Sequence, residues 1–429
     1  MRKFDRRHFI RAGVFAAAAT LLPKLAAAGE TSRIKVAIVG CGRSGIRAAK
    51  YLMMDGRARI VSVSDVFEDI ALRMRDAMRA ESKKYPDSGG RFDVPDSRVF
   101  SGLDCYLKAA ATDADLLVLA TPPAFRMREF EAAISSKKHA FLEKPICVDS
   151  TQCRKMRELS RRAKELGLTA IVGLQRRYHA GYREAMKRLH DGQIGKILSA
   201  QCFWMLPNYD GMDLKTPPGF DPLELEYQLK NWAVFVWASG DHIVEQQIHN
   251  LDIMQWGLAR PPKFVNGIGG RGVDLPMPEY GNRFSHFAVD FDYGDGLRMQ
   301  AFCRQEPGTT HLVLERFVGT EGIMDTNLFS RQFIRGKVDW EAPRAPNCHA
   351  VMFSELLDSI ERAKAINTID EVLDSNMLAI SGRLSAYSGI KFKYEWAEKR
   401  SKESLVPNDL KFGKLPVASL AVPGKYKLV

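Results

Sequence analysis

The sequence predicts an α/β protein in two parts. A doubly wound parallel sheet comes first, and an α+β domain with a largely antiparallel, open sheet follows. Three observations predict this. Buried-type runs rich in Val, Ile and Leu (residues 33–39, 58–64 and 115–120) alternate with helix-length segments as far as residue 173, the order of a parallel sheet with crossover helices. Beyond residue 174 the strand-like segments follow one another with few helices between, which favours antiparallel pairing. Gly294-Asp295-Gly296 joins two of them, a hairpin signal.

The elements follow in order. A strand at 33–39 ends in glycines, and a helix is expected at 47–54. A second strand (58–64) and helix (70–80) precede a Gly-, Pro- and Asp-rich stretch at 85–96, read as a loop. The strand at 115–120 is stopped by Thr121-Pro122-Pro123. A helix (126–135), a short strand (139–142), a helix (151–166) and a strand (169–173) complete the first part. In the second part, alternating character marks strands at 197–204, 264–268, 284–293, 297–304 and 312–319. Helices at 350–363 and 370–387 close it, and the polar, Pro-interrupted residues after 396 read as a surface arm. The expected divisions are 1–29, 33–174, 175–396 and 397–429.

With 45% hydrophobic and 27% charged residues among 429, the chain has the composition of a globular protein rather than a disordered one. Its formal charge of +12 does not signal nucleic-acid binding. Arg2, Lys3, Arg6, Arg7, Arg11 and Lys24 stand against Asp5 alone in the first 28 residues, and no long Lys/Arg block follows. That N-terminus carries Arg6-Arg7-His8-Phe9-Ile10, an Ala-rich apolar stretch at 12–22 and Ala26-Ala27-Ala28. It resembles a twin-arginine (Tat) export signal, which implies the Tat machinery as a partner and a periplasmic or otherwise exported mature protein. The apolar stretch is shorter than the roughly 20 residues that span a bilayer, so no stable membrane span is expected. Cys41, Cys105, Cys147, Cys153, Cys202, Cys303 and Cys348 are scattered, without a C-x-x-C pair. Most read as buried small hydrophobes, and sequence cannot pair them.

Gly40-Cys41-Gly42-Arg43-Ser44-Gly45 follows a strand, opens a helix, and stands 20 residues before Asp65. Glycines permit a tight turn and close approach to a pyrophosphate, and the helix N-terminus offers free N–H groups. Asp65 ends the second strand, where a carboxylate accepts from ribose hydroxyls. The set predicts a Rossmann dinucleotide site that favours NAD; Arg43 or Arg47 leaves NADP open. Thr121-Pro122-Pro123 and Glu143-Lys144-Pro145 end the next two strands and so face the same crevice. Lys144 is placed to donate to, or acidify, a substrate hydroxyl.

The motifs GCGRSG, ATPP, FLEKP, GLQRRY, GQIGKI, SGDHIVEQQIHNLD and GTEG together resemble the Gfo/Idh/MocA oxidoreductases, the group of glucose–fructose oxidoreductase and inositol dehydrogenase. The resemblance implies that Lys144 is catalytic or substrate-binding. It places the family's D-x-x-x-H pair on Glu245 and His249, with His249 as acid–base. The chain departs from the family pattern at Glu245, Gln247 and Arg126, and Asp241-His242 adds a second acid–histidine pair.

Asp241, His242, Glu245, His249 and Asp252 are expected around one helix, with Glu245 and His249 sharing a face. That cluster reads as acid–base and hydroxyl-binding rather than as a metal site, and no metal is expected. Arg176, Tyr178, Asp241, His242 and Trp232 are candidate substrate contacts. Arg177, Trp204, Tyr209, Trp237, Arg304 and His349 are less specific ones. The function expected is hydride transfer between a sugar, glycoside or cyclitol hydroxyl and a nicotinamide cofactor, which export makes tightly bound. Redox-neutral glycoside cleavage through a keto-sugar and non-catalytic sugar binding are the alternatives. By family analogy a homo-oligomer is expected.

Overall fold

The computed structural model describes residues 33–85, 87–208 and 220–429; the N-terminal segment that resembles an export signal and Tyr209 lie outside them. The first sheet holds β1 (Ile34–Val39), β2 (Ala58–Asp65), β3 (Val99–Ser101), β4 (Leu116–Leu119), β5 (His139–Leu142) and β6 (Ala170–Val172). All pairings are parallel, in the order β3-β2-β1-β4-β5-β6. Val36 and Ile38 pack into one apolar cluster, and Ala37 and Val39 into the other. Burial on both faces is why these strands read as continuous apolar runs. The strand order reverses between β1 and β4, and that switch point opens the crevice beyond the strand ends.

The second sheet has nine strands: β7 (Ile197–Leu206), β8 (Phe264–Gly270), β9 (His286–Gly294), β10 (Leu297–Gln305), β11 (Leu312–Gly319), β12 (Gly322–Thr326), β13 (Gln332–Gly336), β14 (Trp340–Glu341) and β15 (Phe392–Lys393). Only the β7–β10 pair is parallel; the other pairs are antiparallel. β9 and β10 bury alternate residues, the pattern of a sheet covered on one face. Helix Ile369–Ser388 lies on that covered face. A Cβ at Gly267 would stand 2.9 Å from Gly382 O, so glycine lets strand and helix backbones approach. The opposite side leaves Ile268, Leu312 and Ile323 exposed.

Several expectations change. The stretch at 85–96 holds a turn of helix (Ser88–Arg91), and a 3-10 turn (Asp96–Arg98) follows it and leads into edge strand β3. The structure adds helices Cys105–Ala110 and Ala180–His190 and strands β12 to β14 to the elements expected. The residues after 396 are anchored rather than merely superficial. Glu403 is buried against the fully buried Arg383 and accepts from Tyr426 Oη at 2.9 Å, and Leu405 N–H donates to Asp149 Oδ2 at 2.9 Å. Cys147 and Cys153 form a disulfide; the other five cysteines are buried and free.

Candidate active site

The Gly40–Gly45 loop is shaped by contacts a side chain would break. Gly40 has φ +93°, and a Cβ there would lie 2.6 Å from Ala120 C; at Gly45 it would lie 2.0 Å from Gly40 O. At Gly42 it would meet nothing within 4 Å, because that position faces open space. Helix Arg43–Asp55 starts there with no side-chain cap and no acid in its first turn. Its first N–H groups thus remain for an anion. Asp65 accepts from Cys41 N (2.8 Å) and Phe67 N (3.1 Å), which leaves lone pairs on both oxygens. Burial pushes its pKa up. An open glycine position, an uncapped helix N-terminus and a carboxylate at the end of β2 fit a dinucleotide.

These groups open onto a cavity of about 740 Å³. Gly40, Gly42, Arg43, Ser44, Asp65, Thr121, Pro122, Pro123, Glu143, Lys144, Trp232, Glu245 and His249 line it. Cys41 and Gly45 sit behind the wall: the Cys41 thiol is buried and its N–H is taken by Asp65, and Gly45 packs under Gly40. Arg47, one of the two arginines that leave NADP open, bonds Ser44 Oγ at 3.1 Å and pairs with Glu143 Oε1 at 2.9 Å. Arg126 is fully buried. It donates to Thr121 O (2.7 Å), Glu143 O (3.1 Å) and Glu129 (3.1 Å), tying the ends of β4 and β5 together. The departure from the family pattern at Arg126 therefore supplies a strut and not an altered pocket wall.

Lys144 follows β5, and its peptide bond to Pro145 is cis. Its Nζ donates to Glu245 O at 2.6 Å and to Glu245 Oε1 at 2.7 Å. Two of three N–H groups are thus fixed and one remains for the cavity. Glu245 and His249 do not share one helix, as the spacing suggested. Helix His242–Glu245 stops, Gln246 and Gln247 intervene, and helix Ile248–Leu258 begins. Both side chains still reach the cavity. His249 stacks on Trp204 at 5.7 Å, and its Nδ1 is buried with no hydrogen-bond partner among the described residues. Burial, reinforced by Lys144, Arg176 and Arg47, holds its pKa well below the usual imidazole range. The ring is therefore neutral at pH 7, which leaves an imidazole lone pair to accept a hydrogen bond from a hydroxyl. His349, from the start of helix Cys348–Glu361, lines the same cavity and stacks on Tyr51. Burial and then Arg47 push its pKa down to about 4.

Four expected substrate contacts lie elsewhere. Arg176 is buried in an ion pair with Glu315 and donates to His249 O at 3.3 Å, behind the imidazole. Tyr178 packs in a core cluster under Arg183. Asp241 is fully buried and accepts from His242 N, Phe284 N and Tyr387 Oη, so it caps and staples. His242 is fully buried, and neither ring nitrogen has a partner among the described residues. Asp252 is taken by Arg177 and Ser375. With each acid so committed, no group of three or more His, Cys, Asp or Glu among the described residues is placed to hold a metal ion. Trp204 reaches the site only through His249, Trp237 donates to Gln228 at 2.7 Å, and Arg304 does not line the cavity. Tyr106, Phe125, Gln175 and Gln246 line it unforeseen. Nothing in their spacing marked them, because they arrive on separate turns of the fold.

Residues 34–174 match the family model described as "Oxidoreductase family, NAD-binding Rossmann fold", that of Gfo/Idh/MocA. The chain is 25% identical over 264 residues to a 2,7-anhydro-N-acetylneuraminate hydratase of Escherichia coli, covering 61% of this chain and 59% of the hydratase. Less than two thirds of that relative's length is thus matched. It is 25% identical over 293 residues to a scyllo-inositol 2-dehydrogenase (NAD(+)) of Bacillus subtilis, covering 68% and 72%. GenD2 from gentamicin A biosynthesis, solved in complex with NAD, superposes with a TM-score of 0.64 at 19% identity, covering 85% of this chain and 97% of that one. Together with the glycine loop and the strand order, the family match makes residues 34–174 an NAD-binding Rossmann domain of the kind found in the Gfo/Idh/MocA oxidoreductases, and the chain as a whole shares the fold of GenD2.

Proposed function

We propose that the protein transfers hydride between a hydroxyl-bearing carbon of a sugar, glycoside or cyclitol and NAD. The observation that carries this is the meeting of Lys144, Glu245 and His249 in the cavity that the glycine loop opens onto. The loop and first helix turn would hold the pyrophosphate, and Asp65 the adenosine ribose. When bound, NAD supplies a hydride acceptor at its nicotinamide. Lys144 then points its remaining N–H at the substrate oxygen and stabilises the charge that grows there. The neutral His249 takes the hydroxyl proton. Glu245 fixes Lys144 in place through two hydrogen bonds, and Arg126 holds the strand ends on which Thr121 and Lys144 stand. Relatives named as an inositol dehydrogenase and an anhydro-sugar acid hydratase support a polyhydroxylated ring as substrate.

The hydratase likeness also favours a second reading, in which hydride leaves and returns and the net reaction is elimination or hydration. Chromogenic glycosides incubated with the protein separate the two. A keto-glycoside product supports oxidation, and released aglycone without consumed cofactor supports the redox-neutral route. Neither product with any sugar or cyclitol would sink both.

The mature protein is proposed to be exported, with its nicotinamide resident. The twin-arginine motif supports this, as does the Cys147–Cys153 disulfide, a bond rare in reducing compartments. Among the described residues no helix is long and apolar enough to cross a membrane. A homo-oligomer through the open face of the second sheet is proposed from its exposed Ile268, Leu312 and Ile323. Cell fractionation and light scattering test these two proposals: retention in the cytoplasm, or a monomeric mass, would refute them in turn.

A further inference from the structure

At the end where Asp65 lies, the Rossmann loops form only half of the cavity. Leu229, Lys230 and Trp232, from the second half of the chain, form the facing wall. Lys230 Nζ stands 4.9 Å from the ring centre of Phe67, two residues beyond Asp65. This wall rests on helix Leu225–Lys230, six residues long, far too short to hold itself.

The C-terminal arm holds it. Leu225 N–H donates to Gly413 O at 2.9 Å, Leu415 N–H donates to Leu223 O at 2.6 Å, and Gln228 Nε2 donates to Leu415 O at 2.7 Å. Val406, Leu410 and Leu415 pack into one apolar cluster with Leu225, Leu229 and Phe125, the last on the Rossmann side. The base of the arm is fastened separately, by the buried Glu403–Arg383 pair. The arm therefore bridges the two walls of one cavity without lining it.

We propose that residues 406–415 are a latch that holds the Leu229–Trp232 wall closed over the adenosine end of the dinucleotide, and so set how fast the cofactor leaves. The latch rests on the reading of this cavity as the NAD site. Leu410 and Leu415 act as positioning residues: the wall cannot swing away until their contacts and the three backbone-directed hydrogen bonds open. By reciprocity, a cofactor lodged under the wall must tighten the latch.

Two measurements on the full chain test this. In the first, NADH-loaded protein is mixed with excess NAD and release is followed by fluorescence. The double variant Leu410→Ser/Leu415→Ser is expected to release NADH about tenfold faster or more, the equivalent of about 1.4 kcal/mol, and Leu415→Met to restore slow release. In the second, hydrogen exchange of the wild-type protein is compared with and without NADH; the cofactor is expected to slow exchange at 225–229 and 410–415. Binding of NADH with wild-type release from the serine variant and unchanged exchange in the arm overturns the latch alone. A wild-type protein that binds no NADH overturns the cofactor site and the latch together.

Discussion

Gly42 and Gly40 stand two residues apart, and alanine is expected to fail at each for a different reason. At Gly42 the backbone (φ −76°, ψ −166°) suits an L-residue, and a methyl meets nothing within 4 Å. The folded protein without cofactor should therefore tolerate Gly42→Ala within about 0.5–1 kcal/mol, since the entropy gain offsets a poorer cap. The methyl points into the space where a pyrophosphate must approach the loop. Losing one charge-assisted hydrogen bond is worth about 1.5–3 kcal/mol, so NADH affinity should fall roughly 10- to 100-fold. Gly40→Ala is the reverse case. Its φ of +93° and a Cβ 2.6 Å from Ala120 C impose about 1–2 kcal/mol of backbone strain before any displacement of the end of β4. That variant should unfold earlier even without cofactor. Urea unfolding of both proteins without cofactor, followed by NADH titration, separates the two effects. Wild-type affinity in Gly42→Ala, or wild-type stability in Gly40→Ala, would refute the reasoning.

Other perturbations follow from buried charge and burial. Arg126→Met leaves Glu129 buried without its partner and should cost about 3–5 kcal/mol by chemical denaturation, with much of it recovered in Arg126→Met/Glu129→Met; equal losses in both variants would contradict the strut. Burial holds His242 and His249 well below the ordinary imidazole value, so the unfolded chain takes up protons first as pH falls through about 6.5. Stability is full above that pH and declines below it, by at most about 1.4 kcal/mol per pH unit for each histidine. His242→Met, which removes two partnerless buried nitrogens, should flatten that decline; an unchanged slope in urea titrations would count against it. Glu245→Gln removes the carboxylate on Lys144 and should lower turnover far more than NADH binding, which steady-state kinetics beside a binding titration will show. Cys147→Ser opens a loop with a sequence separation of 6, for which chain entropy gives about 2 kcal/mol of lost stability; an unchanged unfolding midpoint would argue against that bond.

The parallel sheet was legible because its strands are buried on both faces and its ligand loop is written in contiguous residues from Gly40 to Gly45. Lys144, Glu245, His249 and Trp232 were legible as cavity residues for a related reason: each belongs to a local motif or an aromatic position near one. What failed was inference across the ends of elements and between distant ones. The four-residue spacing of Glu245 and His249 suggested one helix face, but Gln246 and Gln247 interrupt the helix. Asp241, at φ +79°, serves the backbone of its neighbours, a demand that residue type alone does not reveal. Arg176 and Tyr178 follow a strand end as expected, yet Glu315 and the core cluster pull them away from the cavity. The hold of the arm on Leu223 to Gln228 joins residues about 190 apart in sequence, and no local pattern encodes it. The disulfide partners are six apart, a spacing that scattered cysteines do not single out.

The central claim is that Lys144, Glu245 and His249 act on a hydroxyl beside a nicotinamide held by the glycine loop. The most direct measurement is the absorbance spectrum of the purified, NAD-loaded protein on adding an inositol or a glycoside with no external acceptor. The account predicts a reduced-nicotinamide band in the wild-type protein, and none in Lys144→Met loaded with the same amount of NAD. An equal band in both proteins, or a wild-type protein that takes up no NAD at all, would contradict it.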